Sequence, residues 1–493
     1  MVIPNEVKFV IDQLKKGGFE AYIVGGCVRD ILRNVEPKDW DIATNAKPKE
    51  IGKIFLKSFA DNKFGTVTVL TGSKKPRLKE IEITPYRIDE KYTDKRHPDK
   101  IKWAQTIEQD LSRRDFTVNA MALNQRTVNN EQRTEVVDLF KGREDIKNKI
   151  IRAVGNAEER FSEDALRLMR AVRFATALDS DKVWKIEKAT KRAIQKNAHL
   201  LSFISKERIR DELMKIIMSP NGARGIEILR RLGLLKYIIP ELEEGFGIEQ
   251  NKHHIYQIYQ HNLLSLNYAC QRNFSKYVRL AALLHDIAKP RTKKGEGANA
   301  TFYNHEILGA KMAIQILQRL RFSKKDIEKI VRLVRYHLFY YDPEEVGETS
   351  VRRLVREVGP ENMEELMQLR MSDRIGSGVP KAEPYRLRHL KYVIEKVSQD
   401  PISVKMLKVN GEDVMRILKI PPGPKIGQVL SYLLSYVLSN PKKNVRRTLE
   451  REIKRLGQMS DPQLAKLSKQ AKQEIEKIEI KRDEMTKKKY WVT

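Results

Sequence analysis

The sequence predicts an α/β head followed by a mostly α-helical remainder. Two observations carry this. Short β-branched runs separated by turn residues crowd into the first 140 positions. From about residue 141 the apolar positions take on helical spacing and keep it. At 493 residues the chain is also too long for one core, and three or four domains are expected. We divide it into a head (1–140), a neck (141–245), a histidine-rich part (246–375) and a basic tail (376–493).

In the head, an amphipathic helix should end at Lys15-Lys16 against the Gly17-Gly18 pair. Strands are expected in AYIVG, DIAT, GTVTVL and IEITPY, with TGSKKPR as the turn between the last two. In the neck, SEDALRLMRAVRFATAL should open a helix with Ser162 as its N-cap. SKERIRDELMKIIMS and ARGIEILRRLGLLKYIIPEL continue the helical pattern. Six of the nine histidines fall in the third part, again on helical spacing. In the tail, ILKIPPGPKIGQ forces a turn. After Ser460-Asp461-Pro462 a highly charged helix with few apolar anchors is expected to be mobile or to dock.

Lys and Arg outnumber Asp and Glu by 95 to 65, a net charge of +30. Such an excess points to a polyanion, and to nucleic acid rather than a merely solvated basic surface. No run of about 18 apolar residues exists, so neither a transmembrane helix nor a membrane partner is expected. The first residues carry Asp and Glu and do not resemble a secretory leader. Cys27 and Cys270 are too few for a disulfide framework or a zinc knuckle, which suits a cytoplasmic setting. The oligomeric state is not legible.

The first chemical constellation is YIVGGCVRDILRNVEPKDWDIAT, residues 22–44. Asp39 and Asp41, two apart on a strand, point the same way and repel unless a divalent cation lies between them. Mg²⁺ is the natural choice, since it takes carboxylate oxygens together with substrate phosphates. The Gly25-Gly26 turn lets backbone N–H groups approach a triphosphate, and Arg29 adds charge. This layout suits nucleotidyl transfer. A D-x-D pair alone is weak, because most lie on solvated loops; GG-x-VRD followed by DWDIAT is far more specific. The order resembles the nucleotidyltransferase core of the DNA polymerase β superfamily. More narrowly, it resembles the class II, bacterial-type tRNA nucleotidyltransferases and their poly(A) polymerase relatives. A third carboxylate usually sits on a neighbouring strand in such cores; Glu82 is the candidate, with an outward-facing strand residue as the alternative.

Two stretches extend the resemblance, QDLSRRDFTVNAMALN (109–124) and RFSEDALRLMRAVRFA (160–175). Asp164, Arg167, Arg170 and Arg173 recur at spacing three, along one face of a helix. A solvated arginine stripe is the bland alternative. The chemical one is base reading: a carboxylate accepts from the exocyclic amine that cytosine and adenine share, and a guanidinium donates to the ring edge. The stretch matches the family's EDxxRxxR motif, which selects CTP and ATP without a template. The resemblance also implies nucleotide contacts at Gly26, Arg29 and Arg114, and metal ligands at Asp39 and Asp41. NKFGTVTV (62–69) resembles the tRNA enzymes rather than poly(A) polymerases, and the long segment 87–111 resembles the flexible loop that lets the pocket change from C to A, which favours addition of all of CCA. Addition of A only, addition of CC only and poly(A) synthesis remain alternatives.

In the third part His261, His285-Asp286, His305, His337 and Asp373 form an ordered set, whereas His199, His253, His254 and His389 read as isolated residues. His285-Asp286 follows small apolar residues and should lie at a buried helix end. Imidazoles with two carboxylates suit a divalent-metal cage. The set resembles the HD superfamily of metal-dependent phosphohydrolases, with His261, His285, Asp286 and Asp373 as core ligands. His305 and His337 match positions used by members with a second metal. A decayed HD fold serving as a spacer is the alternative, and the metal's identity is not legible. In the tail, residues 407–438 resemble the tail of bacterial tRNA nucleotidyltransferases: LKVNGEDV should cap a helix, and Lys and Arg of 440–457 suit phosphate contacts.

These features lead to one expectation. The chain adds CCA to the 3′ end of tRNA from CTP and ATP, releasing pyrophosphate, and its HD part hydrolyses phosphate esters or 2′,3′-cyclic phosphates. A non-enzymatic RNA-binding protein is the alternative of another class.

Overall fold

Among the described residues, nine strands build the head. The computed structural model describes residues 3–61, 65–90, 100–128, 131–251, 255–398 and 404–492. Strands β1 (Ala21–Val24), β2 (Asp41–Thr44), β3 (Ser58–Asp61), β4 (Thr66–Leu70) and β5 (Glu80–Pro85) lead the chain. After them come β6 (Arg87–Glu90), β7 (Lys100–Trp103), β8 (Ala122–Val128) and β9 (Glu131–Val137). Seven form one sheet in the order β3-β4-β5-β2-β1-β8-β9, while β6 and β7 pair as a separate ribbon. Within the large sheet β2 and β5 run parallel, and this register sets Glu82 directly opposite Asp41.

The four expected strands are present. The hairpin of β8 and β9 was not foreseen, because TVNNEQRTE is polar apart from Val128 and shows no alternation. The first helix, Asn5–Lys16, buries Val7, Val10, Ile11 and Leu14, one stripe at helical spacing. That stripe packs with Ile23, Ile42 and Ile83 of the sheet into the head core. The helix stops as expected: Gly17 caps it, and Gly18 takes a positive φ of 86°.

The neck departs from expectation at Ser162. Asn156 caps an earlier helix, Ala157–Glu163, by accepting from the Glu158 N–H at 3.0 Å. Ser162 lies inside that helix and donates to the Glu159 carbonyl at 2.8 Å. The break comes at Asp164, whose Oδ1 accepts from the Leu166 N–H at 3.1 Å and starts the helix Leu166–Ala177. Asp164 therefore lies at a junction in extended backbone, and only Arg167, Arg170 and Arg173 share the helix. An acid-rich first turn, Glu158 and Glu159, made the earlier start favourable.

The remainder is helical. Helices Ile258–Gln271, Lys276–Leu284, His305–Arg319, Lys324–Tyr336 and Met363–Gly376 carry or adjoin the histidine set. The chain divides into two compact units, Met1–Leu338 with Gln368–Pro380, and Phe339–Met367 with Lys381–Thr493. In the second unit, Asn410 caps the helix Gly411–Leu418 through a reciprocal bond with Asp413, as LKVNGEDV led us to expect. Helices Pro424–Ser439, Arg446–Gly457 and Asp461–Tyr490 pack around Leu433, Leu449, Ile453 and Leu464. The long charged helix docks within its unit: Ser435 donates to Glu474 at 2.5 Å, and Lys489 pairs with Glu395 at 2.6 Å. Among the described residues no helix is long and apolar enough to cross a membrane.

Candidate functional sites

One cavity of about 570 Å³ in the first unit is lined by all ten nucleotide-site residues expected from the sequence. They are Gly26, Arg29, Asp39, Asp41, Glu82 and Arg114 from the head, with Asp164, Arg167, Arg170 and Arg173 from the neck. Asp41 opens β2, whereas Asp39 lies in the bend before it, so the two carboxylates meet across a bend and not along one strand. Burial first, then Asp39 and Glu82, push the Asp41 carboxyl up to about 6 against the pull of Arg114. Three crowded carboxylates, one of them so displaced, are an electrostatic fit for a divalent cation.

Gly25 explains how the cavity's charged floor closes. Its φ is +80°, and a Cβ there would lie 2.9 Å from Arg114 Nη1 and 3.5 Å from Asp41 Oδ2. Gly25→Ala is expected to cost about 1–3 kcal/mol of stability through backbone strain. It should also displace Arg114 and slow nucleotide addition more than it shifts the urea midpoint; equal loss in a distant core variant would contradict this.

In the wall of the cavity runs a buried network that the sequence did not announce. Arg29 donates to Asn119 Oδ1 at 2.8 Å, Asn119 Nδ2 donates to Asp115 Oδ1 at 3.2 Å, and Arg170 donates to Asp115 Oδ2 at 2.5 Å. Burial raises the Asp115 carboxyl, but Arg170 and Arg167 outweigh it and hold it at about 2. A depressed carboxyl contributes stability that is full at neutral pH and is lost as pH falls from about 4 through 2. Asp115→Asn is therefore expected to cost about 3 kcal/mol at pH 7 in urea unfolding, with the two proteins converging near pH 2. A constant difference across that window would contradict the pairing.

At the neck end, Arg167 is buried and held. It donates to Glu163 at 2.6 Å, to the Arg160 carbonyl at 3.0 Å and to the Arg113 carbonyl at 3.0 Å. This excludes the solvated stripe for Arg167. Arg208, also unforeseen, donates to Asp164 Oδ2 at 3.0 Å. Arg173 pairs with Glu212 at 3.0 Å and stacks over Phe174 at 4.2 Å. No local pattern marks Asn119 or Arg208, whose partners Arg29 and Asp164 are remote in sequence, whereas Glu163 opens the EDxxRxxR stretch and holds Arg167 one turn on.

The histidine set closes into one cluster. His285 and Asp286 are buried at the end of the helix Lys276–Leu284, as expected. His261 Nε2 lies 2.8 Å from His285 Nε2, 3.2 Å from Asp286 Oδ2 and 3.3 Å from Asp373 Oδ1. His305 and His337 bring Nε2 to within 3.4 and 3.6 Å of Asp286 Oδ1, which lacks a hydrogen-bond partner among the described residues. The other ring nitrogens of His285, His305 and His337 face the carbonyls of Ala282, Phe302 and Val334 at 2.7–2.9 Å. Donation from Nδ1 leaves each Nε2 lone pair aimed inward, the arrangement of metal-binding imidazoles. Against burial, which lowers it, Asp286 and Asp373 push the His261 imidazole up to about 9, so the cluster attracts positive charge. Two ligand groups, His261-His285-Asp286 and Asp286-His305-His337, share Asp286. A cavity of about 780 Å³ opens beside them, with Lys289, Arg370 and Arg374 in its wall.

Parts of the expected sites fall outside the described residues: 91–99 of the segment 87–111, 62–64 of NKFGTVTV, and His253 and His254.

Three family models match the chain. The poly A polymerase head domain covers residues 21–152, the probable RNA and SrmB-binding site of polymerase A covers 184–246, and the HD domain covers 256–376. Head domains of this kind and HD domains generally work with divalent metals. The CCA-adding enzyme of Ligilactobacillus salivarius is 44% identical over 242 residues, 48% of this chain and 55% of that protein. That of Lactobacillus helveticus is 41% identical over 251 residues, 51% of this chain and 57% of that protein. These matches thus span little more than half the length of the curated relatives. The crystal structure of the Bacillus stearothermophilus CCA-adding enzyme in complex with CTP superposes with a TM-score of 0.58. It is 26% identical, with 92% of this chain and 98% of that chain covered.

Proposed function

We propose that the chain is a member of the nucleotidyltransferase family in which class II tRNA nucleotidyltransferases share their head with poly(A) polymerases, and that it adds CCA to the 3′ end of tRNA from CTP and ATP. The observation that carries this is one cavity lined both by a group of three carboxylates and by an Asp-Arg pair. Similarity to CCA-adding enzymes, one of them in complex with CTP, supports the choice of nucleotides. The division into head (1–140), neck (141–245), HD part (246–375) and tail (376–493) belongs to the same proposal, as does a cytoplasmic location.

In this mechanism the tRNA 3′-hydroxyl attacks the α-phosphate and pyrophosphate leaves. Asp39 and Asp41, with Glu82 opposite, would hold Mg²⁺. When bound there, the ion supplies activation of the hydroxyl and neutralisation of charge on the leaving group. Gly26 brings backbone to the phosphates, and Arg29 and Arg114 offset their charge. Asp164 accepts from the exocyclic amine of cytosine or adenine. Its oxygens already accept from Arg208 and the Leu166 N–H, yet a carboxylate has about four acceptor sites, so capacity remains. Arg167 commits three of its five N–H donors to the protein and keeps two for a base edge. Arg170 and Arg173 brace that pair through Asp115 and Glu212. The basic tail would grip tRNA through its phosphates, largely by shape.

The histidine cluster would hold divalent metal through His261, His285, Asp286, His305, His337 and Asp373. We propose that it hydrolyses phosphate esters, including 2′,3′-cyclic phosphates of RNA ends, with Lys289 and Arg370 neutralising the phosphate. The transferase reading is tested by offering labelled CTP, ATP, UTP and GTP, one at a time, to tRNA stripped of its 3′ CCA. Incorporation of C, and of A only once C is in place, is expected. Equal use of UTP, or no incorporation, would overturn it.

A further inference from the structure

Asp110 has no part in the chemistry above, yet it is fully buried in the head. It lies on the short helix Ile107–Ser112, and its two oxygens serve two different guanidinium groups. Oδ1 accepts from Arg113 Nε and Nη2 at 2.9 and 2.6 Å. Oδ2 accepts from Arg114 Nε and Nη2 at 3.3 and 3.0 Å. Each guanidinium is therefore gripped along its Nε edge, which fixes both its position and its plane.

The consequences diverge from there. On Arg114 the grip leaves Nη1 pointing away from Asp110, and Nη1 is the atom that approaches Gly25 beside Asp41 Oδ2. On Arg113 it fixes the residue whose backbone carbonyl accepts from Arg167 Nη2 at 3.0 Å. A single buried carboxylate thus stands behind both the phosphate end and the base end of the cavity. It also holds Arg114 back: Arg114 already interacts with the Asp41 carboxylate, and without Asp110 nothing opposes that attraction from this side. An arginine drawn there would compete with both the cation and the triphosphate.

We infer that Asp110 is the positioning residue of the transfer site, setting Arg114 against the triphosphate and, through the Arg113 carbonyl, Arg167 against the base. The inference rests on the roles proposed above for Arg114 and Arg167. Burial raises the Asp110 carboxyl, but Arg114 and Arg113 outweigh it and keep it ionised, as such a clamp requires.

Equilibrium binding of CTP and UTP, read by calorimetry well below each protein's melting temperature, tests it. Asp110→Asn keeps the shape and removes the charge. It is expected to weaken CTP binding by about tenfold or more, and to narrow the preference for CTP over UTP. Ile51→Val, in a head core cluster separate from the one that holds Leu111 of the clamp helix, should bind CTP as the wild type does, which separates positioning from general destabilisation. Wild-type affinity and preference in Asp110→Asn would overturn the inference. Arg113→Met, at a partly exposed position, loosens the same clamp from its other side. It must also narrow the preference, so an unchanged preference overturns the inference even where Asp110→Asn does not fold. Wild-type protein that binds CTP but transfers none removes the transferase reading alone, and the binding data still decide the clamp. Wild-type protein that binds no nucleotide overturns both.

Discussion

Asp41→Asn is expected to lower the rate of nucleotide addition on the order of 10³-fold or more while leaving the fold intact. The substitution keeps the side chain's size and removes its charge. It takes away a ligand for the cation that would act on the α-phosphate, so the loss should fall on kcat and little on CTP affinity, which the arginines supply. Stability should move the other way. Burial, Asp39 and Glu82 all disfavour the ionised Asp41, so a neutral amide there relieves repulsion in the metal-free protein. Single-turnover addition and a thermal melt in chelator check both halves. An Asn variant that is inactive and at least as stable fits this site; one that is active, or that unfolds, contradicts it.

The second large effect is expected at Asp286. Its Oδ2 faces His261 and His285, and its Oδ1 faces His305 and His337, so it joins both ligand groups. Asp286→Ala should strip the divalent metal from both groups and reduce hydrolysis of a 2′,3′-cyclic nucleotide on the order of 10²-fold or more. His285→Ala should abolish hydrolysis as well but disturb only one group, and His337→Ala only the other. Metal content by mass spectrometry after dialysis, measured beside hydrolysis, distinguishes these cases. Nucleotide addition should be unaffected in all three, since the transfer cavity shares no residue with the cluster. Equal metal content in Asp286→Ala and wild type would contradict the shared ligand.

What the sequence made legible was chemistry that lies close together in the chain. The strands AYIV, DIAT and TVTVL announce themselves by β-branched residues between turns, and the Asn410 cap by its spacing to Asp413. The ordered aspartates, arginines and histidines could be named because their spacings are unusual. What was not legible depends on tertiary partners. Ser162 looked like a cap until Asn156 supplied a better one, and that moved Asp164 from a helix to a junction. The β8–β9 hairpin is held where β8 pairs with β1 and where Leu123 and Val136 join the head core, contacts that its own largely polar sequence does not announce. Asp110 and Asn119 stand inside the motif stretch 109–124, but nothing local shows that they hold Arg113, Arg114 and Arg29.

The most direct test of the central claim is stepwise extension of three tRNAs, ending at the discriminator base, at C and at CC. Each is given Mg²⁺ with CTP, with ATP or with both, and resolved to single nucleotides. Our account predicts two additions to the first tRNA with CTP alone and three with both nucleotides. It predicts one addition with ATP alone only on the tRNA ending in CC. Extension confined to that last tRNA would make this an A-adding enzyme, and long A tails a poly(A) polymerase. Either result would contradict CCA synthesis, as would no addition at all.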